Sequence, residues 1–226
     1  MIDPADGAGR LVAVPLGALA RFRGGRPMHP RGAVFDAVLE RGGSAPPWAV
    51  PWLEGPARDE VVVRLSRGAG LPASLPDLLG LALRLPGDDG PVDLLLTTAG
   101  RGALTRLIPL PRRDTAAVYS SIMGYRSDAG VLRLAAFPGG FGVPSRPEPL
   151  AAAVAREGLR FTLQAAIGTG PWRPFARLTL GARREPPDAD VRFDAVRNPP
   201  PGLIPDGPMA RFRAPAYATA RVAGRS

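Results

Sequence analysis

No cysteine and no lysine occur in this chain, and histidine occurs once, at His29. The absence of cysteine excludes disulfides, thiolate metal sites and cysteine nucleophiles together. The absence of lysine excludes Schiff-base chemistry and the phosphate-binding lysine of a P-loop. A single imidazole excludes a metal site built from several histidines. Long apolar runs are missing as well: no stretch approaches the roughly 18 apolar residues of a membrane-spanning helix. The opening MIDPADGAGR has neither the basic start nor the apolar run of a secretory leader. A cytoplasmic chain with no membrane segment is the expectation.

What is present is a 226-residue chain, 45% hydrophobic, which is enough to bury a core in one domain spanning 1–226, with residues 1–20 as an N-terminal arm. Its 29 basic residues are all arginine and outnumber 20 acidic ones, for a net charge of +9. The arginines are dispersed rather than clustered with aromatics, which argues against a nucleic-acid surface; a general polyanion binder is the weaker alternative. Placed singly, a guanidinium fork suits the clamping of a carboxylate or phosphate.

Proline and glycine cut the chain into short segments, as in SAPPWAVPWLEGP (44–56). The valine-rich, partly alternating runs 33–41 and 59–67 read as strands. Segments 78–86 and 90–98, separated by a GDDG turn signal, read as a hairpin. Segment 112–126 starts with an aspartate able to cap a helix and continues at helical spacing, so a helix is expected there. The alanine-rich 148–158, closed by glycine, is the clearest helix. Strands are expected over 131–138, 159–168 and 175–183, and a helix over 208–224 kinked at Pro215. Several strands with a few helices give an α+β class, an antiparallel sheet or barrel with helices packed outside.

Three separated blocks then resemble the catalase superfamily of heme proteins. RPMHPRG (26–32) is similar to the family's R-x-x-H-x-x-G segment. VVVRLSRGAG…PDLLGLALRL…GPVDLLLTT resembles its R-x-S, D-x-x-G-x-A and D-L strands, and NPPPGLIPDGPMARFRAPAY (198–217) its N-x-x-P-G…R-x-x-x-Y proximal helix region, here 198–226. The resemblance implies a catalase-like antiparallel β-barrel, in a small, trimmed member, that binds heme b. It implies Tyr217 as the phenolate axial ligand of the iron and His29 as the distal base. Arg213, one helical turn before Tyr217, favours the phenolate by its charge. Arg26 and Arg64 are implied as counter-charges to the heme propionates, and Ser66 as the hydrogen-bond partner of the distal imidazole. Arg221 is the candidate for a further family arginine at altered spacing. The implied chemistry is a peroxidase-like reaction in which His29 takes a proton from hydrogen peroxide, or an organic peroxide, and returns it to the departing oxygen while a small organic reductant is consumed.

Two departures from the family pattern are visible. Thr98 stands where the family places a distal asparagine, with Thr97 beside it, and a hydroxyl cannot position peroxide as an amide does. The aromatic ring that covers the distal heme face is missing from RGALTRL. Both argue for weak or absent true catalase activity, and keep open a non-catalytic heme carrier or sensor of the same fold. Bland readings stand beside these: Tyr217 as a helix anchor, Arg64 in an ion pair, Trp48, Trp52 and Trp172 as packing, and Asp88/Asp89 and Asp188/Asp190 as solvated turns rather than a hydrolytic or metal site. The Pro-rich stretch 44–56 could contact another copy in a homo-oligomer.

Overall fold

The structure is a computed structural model; it describes residues 31–72, 74–185 and 191–210. Ten strands, β1 (Arg31–Arg41), β2 (Ala57–Arg67), β3 (Leu79–Leu85), β4 (Val92–Thr98), β5 (Tyr119–Ser120), β6 (Gly124–Ser127), β7 (Gly130–Pro138), β8 (Leu159–Ile167), β9 (Arg173–Arg183) and β10 (Ile204–Asp206), form one antiparallel sheet. Its order β7-β5-β4-β3-β2-β1-β9-β8 closes on itself because β7 also pairs with β8, from Leu132 opposite Ile167 to Pro138 opposite Phe161. Eight strands therefore make a closed barrel, which leaves no free edge around the ring. β6 and β10 extend from β7 as a short flap.

Alternation along the strands decides which side chains fill the barrel. On β1, Ala33, Phe35, Ala37 and Leu39 face inward; on β2, Val61, Val63 and Leu65; on β3, Leu79, Leu81 and Leu83; on β4, Leu94 and Leu96. Tyr119 and Phe161 meet edge to face inside, with ring centroids 5.8 Å apart. Each such fully buried Leu or Phe contributes about 1.5–3 kcal/mol relative to exposure, so the interior layer holds the barrel closed. The β3–β4 hairpin forms as expected, around a turn in which Gly90 takes φ +126° and its N–H donates to Gly87 O.

Helix α1 (Pro51–Glu54) is a single turn that buries Trp52 and Leu53. Helix α2 (Pro147–Glu157) has proline in its first turn and ends at Gly158, whose φ of +70° suits only glycine comfortably. Its Leu150, Ala153 and Val154 pack toward β1 and β9. Trp48 and Trp52 are buried packing residues, and Trp52 lies 5.7 Å from the Phe175 ring.

The helix expected over 112–126 does not form. Asp114 spends its carboxylate on the N–H groups of Ala116, Gly142 and Val143 instead of capping a helix, and Ile122 takes φ +55°. Residues 119–127 include β5, which fills the gap between β4 and β7 and completes the ring, and β6, which pairs with β7 in the flap. Tertiary closure here overrides local propensity. Of the helix expected over 208–224, Pro208–Ala210 is described and helical; the remainder lies outside the described residues.

Candidate functional site

The residues named from sequence fall into two groups. Arg26, His29, Arg213, Tyr217 and Arg221 lie outside the described residues; Arg64, Ser66 and Thr98 lie within them. The described three come from β2 and β4, two strands apart on the barrel wall.

Arg64 and Ser66 share the outer face of β2, because the inward positions are Val63, Leu65 and Arg67. Arg64 is nevertheless only 7% exposed. Its guanidinium lies against Gly32 of β1, where a Cβ would come within 2.8 Å of Arg64 Cζ and 2.8 Å of Leu65 O. Glycine at 32 is thus the notch in which this cation rests. Ser66 Oγ leans toward Gly80 O at 3.5 Å.

Register carries the outer face across the sheet. Ser66 pairs with Gly32 on one side and with Gly80 on the other; Gly80 pairs with Thr97, Thr97 with Ser120, and Ser120 with Ala135. One row around the barrel therefore reads Gly32, Ser66, Gly80, Thr97, Ser120, Ala135, every member with a small side chain. The next row contains Arg64, Ala82 and Leu95. Within the row Ser66 and Thr97 are half-buried and the other members are buried, with the Arg64 cation in the next row.

Thr98 faces the other way. It follows Leu94 and Leu96 on the inward face and is fully buried, and its Oγ1 accepts the Leu79 N–H at 3.1 Å in place of a ladder bond. It does not join Arg64 and Ser66. Thr97, half-buried on the outer face and one glycine from Ser66, does.

A second cluster sits farther along the same face, where Arg84 and Asp93 pair across β3 and β4. Arg84 Nε and Nη2 both donate to Asp93, each at 2.7 Å, and Nη2 also reaches Arg192 O at 2.6 Å. Asp93, fully buried, accepts further bonds from the Asp194 N–H at 2.8 Å and Asn198 Nδ2 at 2.9 Å. The hydrogen bond to Asp93 raises the Arg84 pKa against the opposing cost of burial. The network ties residues 191–198 onto the barrel wall. Asp93, Leu95 and Thr97 lie on one side of β4, so the anchor and the Thr97 row are four residues apart, roughly 13 Å at strand rise.

Sequence reading quoted Asp77, Asp93 and Asn198 without giving them work. Asp77 is 1% exposed, accepts the N–H groups of Ala69 and Leu71, and faces Arg67 Nε at 3.5 Å, closing the β2–β3 loop. Asp88 and Asp89 are exposed in the β3–β4 turn. A surface groove of about 1040 Å³ runs over β1, β2 and β9 elsewhere, but there Arg58 and Arg184 are already paired with Glu40 and Asp36. It reads as a solvated ion-pair surface.

The closed eight-stranded antiparallel barrel with helices outside is matched among solved structures by catalases. A bacterial catalase superposes with a TM-score of 0.64 at 14% identity, covering 92% of this chain and 60% of its own. A fungal catalase gives 0.63 at 13% identity, over 91% and 61%. Catalase A from Saccharomyces cerevisiae gives 0.63 at 11%, over 85% and 59%. The chain has a catalase-like fold and spans about 60% of the length of the first of these structures. No family profile and no curated protein matches the sequence. Among the described residues no helix is long and apolar enough to cross a membrane.

Proposed function

We propose that this chain is a heme-binding oxidoreductase that uses a peroxide as oxidant in a peroxidase-like reaction. The observation that supports it most is the outer-face row that sets Thr97 beside Ser66, flanked by Arg64, on a catalase-like barrel. The Gly32 notch seats the Arg64 guanidinium, a group able to pair with a carboxylate of the ring, and this supports the reading.

In this reading Arg64, with Arg26, holds the propionates, and Tyr217 as phenolate, assisted by Arg213 and Arg221, holds the iron. Heme, when bound, would supply the redox chemistry. His29, neutral, accepts a proton from the peroxide at one ring nitrogen and returns it to the departing oxygen. Ser66 Oγ accepts from the other ring nitrogen and so fixes the tautomer. Thr97 takes the distal role first assigned to Thr98. Its hydroxyl donates one hydrogen bond where an amide donates two, and this supports slow turnover of peroxide against itself and the use of an organic reductant.

The test is reconstitution of the full chain with hemin. A one-to-one complex with ferric tyrosinate absorption, lost in Tyr217→Phe, and peroxide-dependent dye oxidation, lost in His29→Ala, are expected. A chain that takes up no hemin sinks the reading. Hemin uptake with no His29-dependent turnover supports the carrier reading instead.

A further inference from the structure

Arginines buried against this barrel reach carboxylates: Arg41 meets Asp59 at 3.0 Å, Arg67 faces Asp77 at 3.5 Å and Arg84 meets Asp93 at 2.7 Å. Arg106 and Arg133 break the pattern. Arg106, in the 3₁₀ turn Thr105–Leu107, is 2% exposed and lies over the Trp172 ring at 4.3 Å. Its Nε and Nη2 donate to Gly102 O and Gly170 O at 3.4 and 2.9 Å, while its Nη1 is buried with no partner. Arg133 projects from the outer face of β7 beside the β8–β9 turn, half-buried, and its Nε is likewise buried with no partner. Among the described residues neither forms an ion pair.

The two cations feel each other. Burial lowers the Arg106 pKa; for Arg133, burial lowers it most and the charge of Arg106 lowers it further, with Asp206 opposing. Asp206 sits two strands from Arg133, beyond Gly124, and its charge acts on Arg133, but among the described residues it forms an ion pair with neither arginine. Two like charges with buried unpartnered donors and no carboxylate at ion-pair distance are costly unless an anion completes the arrangement.

We infer that Arg106 and Arg133 form a binding site for a dianionic oxyanion of the phosphate-monoester class, seated on the outer face of β7 beside the β8–β9 turn. Two fixed positive charges balance a group that carries about −1.5 to −2 at neutral pH, and the unpartnered donors Arg106 Nη1 and Arg133 Nε suit its several oxygens. The site is separate from Arg64. Four strand spacings, from β2 through β3, β4 and β5 to β7, place it roughly 19 Å around the barrel. It does not depend on the heme reading.

The probe is inorganic phosphate added to the full chain, with sodium chloride at matched ionic strength and succinate as separate arms, read by melting temperature and calorimetric titration. Phosphate should raise the melting temperature saturably where chloride does not, and Arg133→Gln should weaken binding about tenfold or more. Arg133→Glu, which gives Arg106 a carboxylate of its own, should raise the melting temperature in phosphate-free buffer and abolish the phosphate response. No saturable response in the parent, an unchanged response in Arg133→Gln, or an Arg133→Glu chain less stable than the parent each overturns the site. Succinate binding as tight as phosphate overturns the phosphate assignment.

Discussion

Ser66 and Thr97 occupy one row on the outside of the barrel, separated only by Gly80, which pairs with Ser66 on one side and Thr97 on the other. Two strand spacings put their Cα atoms roughly 10 Å apart, with no side chain between them. The hydroxyls thus flank a position without a side chain, whereas Thr98, one residue on, lies inside.

This geometry separates the roles of the neighbouring threonines. Thr97→Val should leave stability within about 0.5 kcal/mol, as for an ordinary surface change, while altering the heme absorption and peroxide-dependent turnover. Thr98→Val removes the acceptor of the buried Leu79 N–H and should cost about 1–3 kcal/mol, lowering the melting temperature by several degrees. Thermal melts and spectra of the two variants decide. Altered spectra in Thr98→Val alone would return the distal role to Thr98.

Gly32→Ala tests the notch under Arg64. The new Cβ meets Leu65 O and the Arg64 guanidinium at 2.8 Å, so the cation must move, at about 1–3 kcal/mol of overpacking. Hemin should transfer to an acceptor protein faster from Gly32→Ala and from Arg64→Gln than from the parent. Identical transfer rates in all three would remove Arg64 from any contact with the propionates.

The elements legible in the sequence were those whose local signal and tertiary role coincide. The β3–β4 hairpin had its turn residues and α2 its proline start and glycine stop. Segment 112–126 was misread because Asp114 looks like a helix cap when only its neighbours are visible; its true partners, the N–H groups of Gly142 and Val143, lie 28 and 29 residues away. Which of Thr97 and Thr98 faces outward is a matter of register. Leucine and threonine occur on both faces of β4, and its pairing with β3 sets which face is inner. Arg64 and Ser66 were legible as a face because they are two residues apart on one strand. Asp93 and Asn198 were quoted as motif residues, but a contact across 105 positions leaves no local trace.

Asp93→Asn should cost about 3–5 kcal/mol, since it strips the charge from a fully buried carboxylate that Arg84 grips at two points. Urea denaturation measures that loss. The same variant should expose residues 191–198, so trypsin should cut at Arg192 and Arg197 faster than in the parent under native conditions. Asn198→Ala, which removes one of the bonds to Asp93, should show the same cleavage pattern with a loss of about 1 kcal/mol. Unchanged cleavage in both would mean the network does not anchor the segment.

Tyr119 makes stability pH-dependent at the alkaline end. The phenol is fully buried, donates to Thr115 O at 2.8 Å, and has its pKa pushed far above the ordinary value of about 10, first by burial and then by the charge of Asp114. A raised folded pKa means that the folded chain keeps a proton which the unfolded chain releases. The contribution is therefore complete below about pH 10 and falls by about 1.4 kcal/mol for each further pH unit. Tyr119→Phe should lose about 1 kcal/mol at neutral pH with the hydrogen bond, yet show a shallower decline above pH 10. Denaturation at neutral pH and at pH 10–11 measures both, and an unchanged alkaline slope in Tyr119→Phe would show that this phenol is not the group being titrated.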